Sequence, residues 1–209
     1  MKQQMDMAPQ EIPAVSEQAD ERLTLVVTEK IPSEIREQLE ALQETTEPPV
    51  QLFEKLTGSL AVLVAEEFSL QDDEVAILLL KDEGLTLRFA CPNKLYAEKT
   101  NAFPVNIGSI AGQVLLTKKG RIDNYVADTE HLSIYERIFA KADRPWQIQK
   151  MISVPLVLPD GQLLGVLQVS RKAKSQLMTP DFIAVDLSKL NDLIPSLASY
   201  IKKVIPVTF

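Results

Sequence analysis

The chain has 209 residues, 45% of them hydrophobic and 24% charged, with a net charge of −7 and a sequence pI near 4.9. That length suits one domain of ordinary size with a tail, and the acidic balance excludes a nucleic-acid partner, whose phosphates demand clustered Lys and Arg. A single cysteine, Cys91, and a single histidine, His131, exclude an internal disulfide, a zinc site with several thiolates and a His-rich metal centre.

Residues 1–30 are polar, carry Pro9 and Pro13, and show no sustained period, so a flexible leader is expected. Lys2 is followed by no apolar run, which excludes a signal peptide. No stretch approaches the roughly 18 apolar residues of a spanning helix, so no membrane is involved and the cytoplasm is the expected compartment. Leu23–Val27 has no clear assignment. Residues 31–47 form a short helical extension, with Ser33 as cap and Ile35, Leu39 and Leu42 at helical spacing. A compact domain spans residues 48–209. Pro48–Pro49 opens its first helix, where a proline loses no needed hydrogen bond, and Leu52, Leu56, Leu60 and Leu63 line one face as far as about Phe68.

Val75–Leu80 is continuously apolar, Asp82–Gly84 supplies turn chemistry, and Leu85, Leu87 and Phe89 then alternate with Thr86 and Arg88. This predicts a hairpin whose first strand is buried on both faces and whose second is half-exposed. After an irregular stretch, Gly108–Lys119 predicts a helix with Ile110, Val114 and Leu115 inward and Gly120 as its left-handed stop. A short strand near Arg121–Asp123 and a helix near Glu130–Ala140 follow. Ile152–Leu158 and Leu163–Ser170 form a second hairpin around Pro159–Gln162. Thr179-Pro180-Asp181 has the chemistry of a helix start, and the last helix is predicted to reach Val204 with a kink at Pro195.

Within this order, Phe103-Pro104-Val105-Asn106-Ile107-Gly108-Ser109-Ile110-Ala111-Gly112-Gln113-Val114 resembles the helix-opening segment of the GAF family. Ile122-Asp123-Asn124 with Asp128 resembles that family's strand and loop. Met151–Leu156, the Asp160–Gly161 turn and Leu164–Val169 resemble its final hairpin. The resemblance covers about Leu52 to Val204. It implies an α/β (α+β) fold: a central antiparallel sheet with a terminal-helix bundle on one face and pocket helices and loops on the other. The glycines agree, since Gly108, Gly112 and Gly165 lack the Cβ that would keep a neighbouring backbone away. Pro155 belongs at a strand edge or bulge.

The resemblance also tests specific chemistries. Cyclic-nucleotide-binding relatives carry an Asn-Lys pair after the last strand, then a Phe and an acidic pair. Here Arg171 replaces the Asn, Lys172 is retained, Met178 stands at the Phe position, and Phe182 and Ile183 replace the acids. Cys91 lies outside the region where relatives attach a bilin and reads as a small buried hydrophobe. Relatives that reduce free methionine sulfoxide use several cysteines, and one cannot complete a disulfide cycle. A haem ligand role for His131 is outweighed by that of a solvated loop residue. Asp123, Asp128 and Glu130 read as a polar loop capping the next helix, with neither nucleophile nor metal to serve. Ser109 and Ser153 have no histidine partner that the sequence places near them.

The function expected is therefore a non-catalytic sensory or regulatory module. On the resemblance, a small-molecule pocket lies between the sheet and the segment from Gly108 to about Ala140, lined by Ser109, Asn124, Tyr135, Ser153 and Gln168, and by Arg88 if its face of the strand points inward. The cofactor, if any, is unspecified. Leu187, Ile194 and Ile201 are seven apart, as are Leu190, Leu197 and Val204, which predicts a seam for a helical homodimer. The competing reading is that this face packs on the domain's own sheet. No kinase, cyclase or DNA-binding segment fits in the remaining residues. This points to a sensor acting in trans, or to a ligand-free module with a closed pocket that dimerises or docks a signalling protein.

Overall fold

The structure, a computed structural model, describes residues 36–37, 40–41, 48–93, 102–126, 146–207 and 209. In chain order the main elements are α1 (Pro49–Glu67), β1 (Val75–Lys81), β2 (Thr86–Cys91), β3 (Ala102–Pro104), α2 (Ile110–Thr117), β4 (Arg121–Asp123), β5 (Gln147–Val157), β6 (Leu163–Ala173) and α3 (Ala184–Val204). The strands form one six-stranded sheet of order β3-β2-β1-β6-β5-β4, and every pair is antiparallel. The predicted leader at 1–30, the helix at 130–140, Tyr135 and His131 fall outside the described residues, as does most of the 31–47 extension.

Two hydrophobic layers flank the sheet. On one face Phe53, Leu56 and Leu60 of α1 and Leu190, Leu197 and Ile201 of α3 pack on Val75, Ile77, Leu79, Ile152 and Val154. On the other, Ile110, Val114 and Leu115 of α2 pack with Ala76, Leu78, Phe89, Met151 and Val166. The continuous apolar run of β1 thus arises because alternate residues point to opposite faces and both faces are covered. Gly165 pairs with Leu79, and a Cβ there would lie 1.9 Å from the Leu78 carbonyl oxygen, so β6 can approach β1 only without one.

Several boundaries differ from expectation for identifiable reasons. α2 stops at Thr117 with Lys118, not Gly120, in the left-handed region (φ 53°). Gly120 instead passes close to Leu187 and Val154. Both strands of the second hairpin are longer than predicted, and Pro155 pairs with Val166 where β5 has run past the end of β4. β3 is an unpredicted strand, pairing Ala102–Pro104 with Arg88–Thr86. α3 begins at Ala184, after Thr179-Pro180-Asp181, and runs through Pro195 as one element. In place of a Thr179 cap, the Asp186 carboxylate accepts the Ile183 N–H (2.9 Å) at the helix entrance.

The predicted intersubunit seam is occupied within one chain. Leu190, Ile194, Leu197, Ile201 and Val204 are buried in the layer beneath the sheet, and Leu187 packs half-buried against it. The heptad spacing is accounted for by α3 lying on its own sheet and α1.

Candidate functional site

On the α2 side of the sheet, three adjacent strands bring polar residues into one row. Register pairs Gln168 of β6 with Ser153 of β5, and Ser153 with Arg121 of β4. Residues opposite one another in an antiparallel pair share a face, and i and i+2 share it as well. Arg121, Asp123, Met151, Ser153 and Gln168 therefore all lie on the α2 side. Strand spacing makes the row from Arg121 to Gln168 about 10 Å long.

Each member is held by neighbours. Gln168 Nε2 donates to Ser153 Oγ (3.0 Å). Arg121 donates one guanidinium N–H to Gln113 Oε1 on α2 and another to Asp123 Oδ1, in an ion pair. Gln113 is fixed in turn, since its Nε2 donates to the Ile107 carbonyl (2.7 Å). Asp123 Oδ2 is buried and accepts no hydrogen bond among the described residues, while the Arg121 side chain keeps 35% of its exposure. The loop entering α2 folds back tightly against the helix because Gly112 lies over Asn106, where a Cβ would stand 2.0 Å from the carbonyl oxygen.

The expected lining residues divide. Ser153 and Gln168 meet on this face. Ser109 is buried and spends its hydroxyl oxygen as the cap of α2, accepting from the Gly112 N–H (3.0 Å). Asn124 faces elsewhere: Nδ2 donates to the Phe182 carbonyl and Oδ1 accepts the Phe182 N–H, both at 3.0 Å. Because Asp123 points to the α2 side, the next residue along an extended chain points to the helical-bundle side. Arg88 lies opposite Leu79 on the bundle side, with its guanidinium 5.3 Å from the centre of the Phe209 ring, so it does not join the row. Arg121 and Gln113 were absent from the expected set. Their signal was the i, i+2 spacing of Arg121 and Asp123 in a three-residue strand beside an inward-facing helix.

The chain entering α3 is clamped on the bundle side. Arg171 donates to the carbonyls of Pro180 (2.8 Å) and Asp181 (3.1 Å) and lies 4.0 Å above the buried Phe182 ring. Lys150 pairs with Asp181. Lys172 is turned inward. Its Nζ donates to the Asp73 carbonyl (2.6 Å) and pairs with the Asp73 carboxylate (3.3 Å), both side chains being at most 5% exposed. Its backbone N–H, with that of Gln71, is accepted by the Glu74 carboxylate (2.7 and 2.8 Å).

Cys91 is buried, and burial first, then the nearby Asp72 charge, push its thiol up to about 12. A thiol in that state is a poor nucleophile near neutral pH. Among the described residues, no group of three or more His, Cys, Asp or Glu could hold a metal ion, and no helix is long and apolar enough to cross a membrane.

An antiparallel sheet with an α1/α3 bundle on one face and a short capping helix over a polar row on the other defines a single α+β domain. The GAF domain family model matches residues 58–187, and the chain belongs to that family, which is commonly sensory or regulatory in signalling proteins. Among solved structures, it is similar to residues 122 to 287 of a methyl-accepting chemotaxis protein, with a TM-score of 0.56 and 14% identity over 79% of this chain and 95% of that one. The GAF domain of an Acinetobacter phosphoenolpyruvate-protein phosphotransferase gives 0.54 and 14% over 81% and 90%. The free methionine-R-sulfoxide reductase of Neisseria meningitidis, solved with its substrate, gives 0.51 and 16% over 80% and 86%. At these identities the likeness concerns the fold. No curated protein matches the sequence.

Proposed function

We propose that this domain is a non-catalytic regulatory module that takes a small molecule on the α2 side of the sheet and reports occupancy through α3. The observation that carries this reading is the arrangement of Asp123 and Asn124. Consecutive residues address opposite layers, Asp123 in the polar row and Asn124 on the main chain at the entrance to α3. A ligand that moves Asp123 moves Asn124 with it, and Asn124 holds both backbone polar groups of Phe182. Such a ligand shifts α3 by its differential affinity for the two positions of that segment. The buried, protonated Cys91 thiol supports a role other than disulfide chemistry.

A protein-docking reading is favoured by a different observation. Leu177, Met178, Ile183 and Val185, on the connection into α3 and its first turn, are exposed. A signalling partner or a second copy would find apolar surface there, where α3 begins, rather than along the internal seam. A homodimer, in this reading, forms through that region.

Hydrogen exchange tests the coupling without a known ligand. Asp123→Asn, a perturbation confined to the α2 side, is expected to change exchange of the Ile183–Leu187 amides by several-fold, and to leave them unchanged when Asn124→Ala is already present. An equal response in both backgrounds, or none in either, rules out Asn124 as the connection between the layers.

A further inference from the structure

One end of the helical bundle carries an open apolar groove. It lies between Pro49, Val50 and Leu52 at the start of α1 and residues 203–207 at the end of α3, with a volume of about 460 Å³. Val50 keeps 39% of its exposure and Val207 is fully exposed, so apolar surface faces solvent there. The last turn of α3 sets Lys202 and Lys203 beside it, and the Lys203 ammonium lies 5.4 Å from the centre of the Tyr200 ring. An occupant suited to this place is apolar on one side and acidic along its border.

Residues 31–47 have that character and lead directly into the groove. They carry five glutamates against one arginine. Of them the structure describes residues 36–37 and 40–41, all helical, with Glu37 and Ala41 exposed and Arg36 half-buried, its Nε shut off from solvent. At about 100° per residue, a helix that turns Glu37 and Ala41 outward turns Ile35, Leu39 and Leu42 to the opposite side. Arg36 and Glu40 lie close enough to the end of α3 for their charges to be felt there. Tyr200 is buried, and its phenol holds its proton more tightly than usual, first through burial and then through the charge of Glu40, while Arg36 acts in the opposite sense. Tyr200 is one turn from Val204, which lines the groove. Pro49 follows Leu42 by seven positions, a reach of up to roughly 25 Å, so the segment can fold back over the groove that its own continuation lines.

We infer that residues 31–47 dock on their own domain as an amphipathic helix over this groove, with Ile35, Leu39 and Leu42 against its apolar walls and glutamates bordering Lys202 and Lys203. The end of the bundle is thereby closed by the chain itself, and a second copy or another protein reaches it only by displacing the segment. Covalent attachment keeps the segment at high effective concentration, so a weak contact is enough to hold it. The inference stands on a different part of the domain from the regulatory reading and does not depend on it.

The test is photo-crosslinking of the full chain with p-benzoylphenylalanine in place of Val207, whose exposure lets it be replaced without disturbing the core. Equal amounts of unlabelled and heavy-nitrogen-labelled protein are mixed before irradiation. Peptides joined within one chain then carry one label, and those joined between chains carry both. The expected product joins position 207 to residues 31–47 with a single label. Leu39→Glu with Leu42→Glu, checked for folding by circular dichroism, is expected to lower its yield roughly ten-fold, because two apolar contacts become charges while helix propensity is kept. Glu37→Lys, on the exposed side, should leave the yield unchanged. Products carrying both labels, products confined to residues 1–30 or to α1, or a yield that survives the paired substitution in a folded protein would each overturn the docking.

Discussion

Lys172 is the one residue of the cyclic-nucleotide pattern that this chain keeps, and its surroundings assign it a structural task that can be measured. Its ammonium group is buried against the carbonyl and carboxylate of Asp73, at 2.6 and 3.3 Å, with side-chain exposures of 4% and 5%. Lys172→Met keeps the length of the side chain and removes the charge that faces the buried Asp73 carboxylate. Breaking one half of a buried pair costs about 3–5 kcal/mol, which for a domain of this size lowers the melting temperature by on the order of 10 °C. Asp73→Asn should cost a comparable amount. The double variant should recover a large part of the loss, because both buried charges go together. Urea unfolding of the four proteins, with a common m-value, gives the coupling energy directly. If Lys172→Met unfolds within about 1 kcal/mol of wild type, in the range of an exposed pair, the buried-pair account fails and Lys172 returns to candidacy as a ligand contact.

Asn124→Ala removes two hydrogen bonds to Phe182, each worth about 0.5–1.5 kcal/mol net, so a loss of about 1–3 kcal/mol is expected by urea titration. Asn124→Asp keeps the acceptor for the Phe182 N–H, and that amide should exchange more slowly than in the alanine variant; equal exchange would show the bond to be unimportant. Cys91 predicts an alkaline limit. Its folded thiol is raised from 9.0 to about 12, so the unfolded chain loses the proton first. The contribution is fully present below about pH 9 and is lost as pH rises towards 12, at about 1.4 kcal/mol per unit. Cys91→Ala should flatten the stability curve over that window; a curve parallel to wild type would show that the thiol is not responsible.

The elements that could be read from the sequence were those whose local chemistry and tertiary setting agree. β1 announces itself as an unbroken apolar run because both its faces are covered, and the Pro159–Gln162 turn closes with Gly161 at φ 86°. α1 begins at Pro49, as its prolines indicate, and buries Leu56, Leu60 and Leu63. Where local chemistry and setting conflict, the setting prevails. Thr179-Pro180-Asp181 has every mark of a helix start, yet Arg171, Lys150 and Asn124 hold that stretch outside the helix until Ala184. β3 escaped notice because three residues ending in proline carry almost no periodic signal.

Part of the polar row is legible in the sequence. Ser153 and Gln168 were identified by position and do meet. Asn124, expected in the pocket, lies one residue out of phase with Asp123, and a shift of one along an extended chain exchanges the faces. The repeat from Leu187 to Val204 suits either a seam between subunits or packing on the domain's own sheet, since an amphipathic helix shows the same spacing in both settings. Only the position of α3 over Ile152 and Val154 separates the two.

Because Val75–Lys81 gives alternate side chains to each layer, neither layer can change volume alone. A larger residue at Ala76 or Leu78 displaces the strand that positions Ile77 and Leu79 beneath it. β4 is different: its three residues are only partly enclosed, and it borders the sheet on a single side. The architecture thus concentrates its tolerance for altered chemistry at Arg121–Asp123, so new specificities can be tried at the margin while the centre of the domain stays as it is.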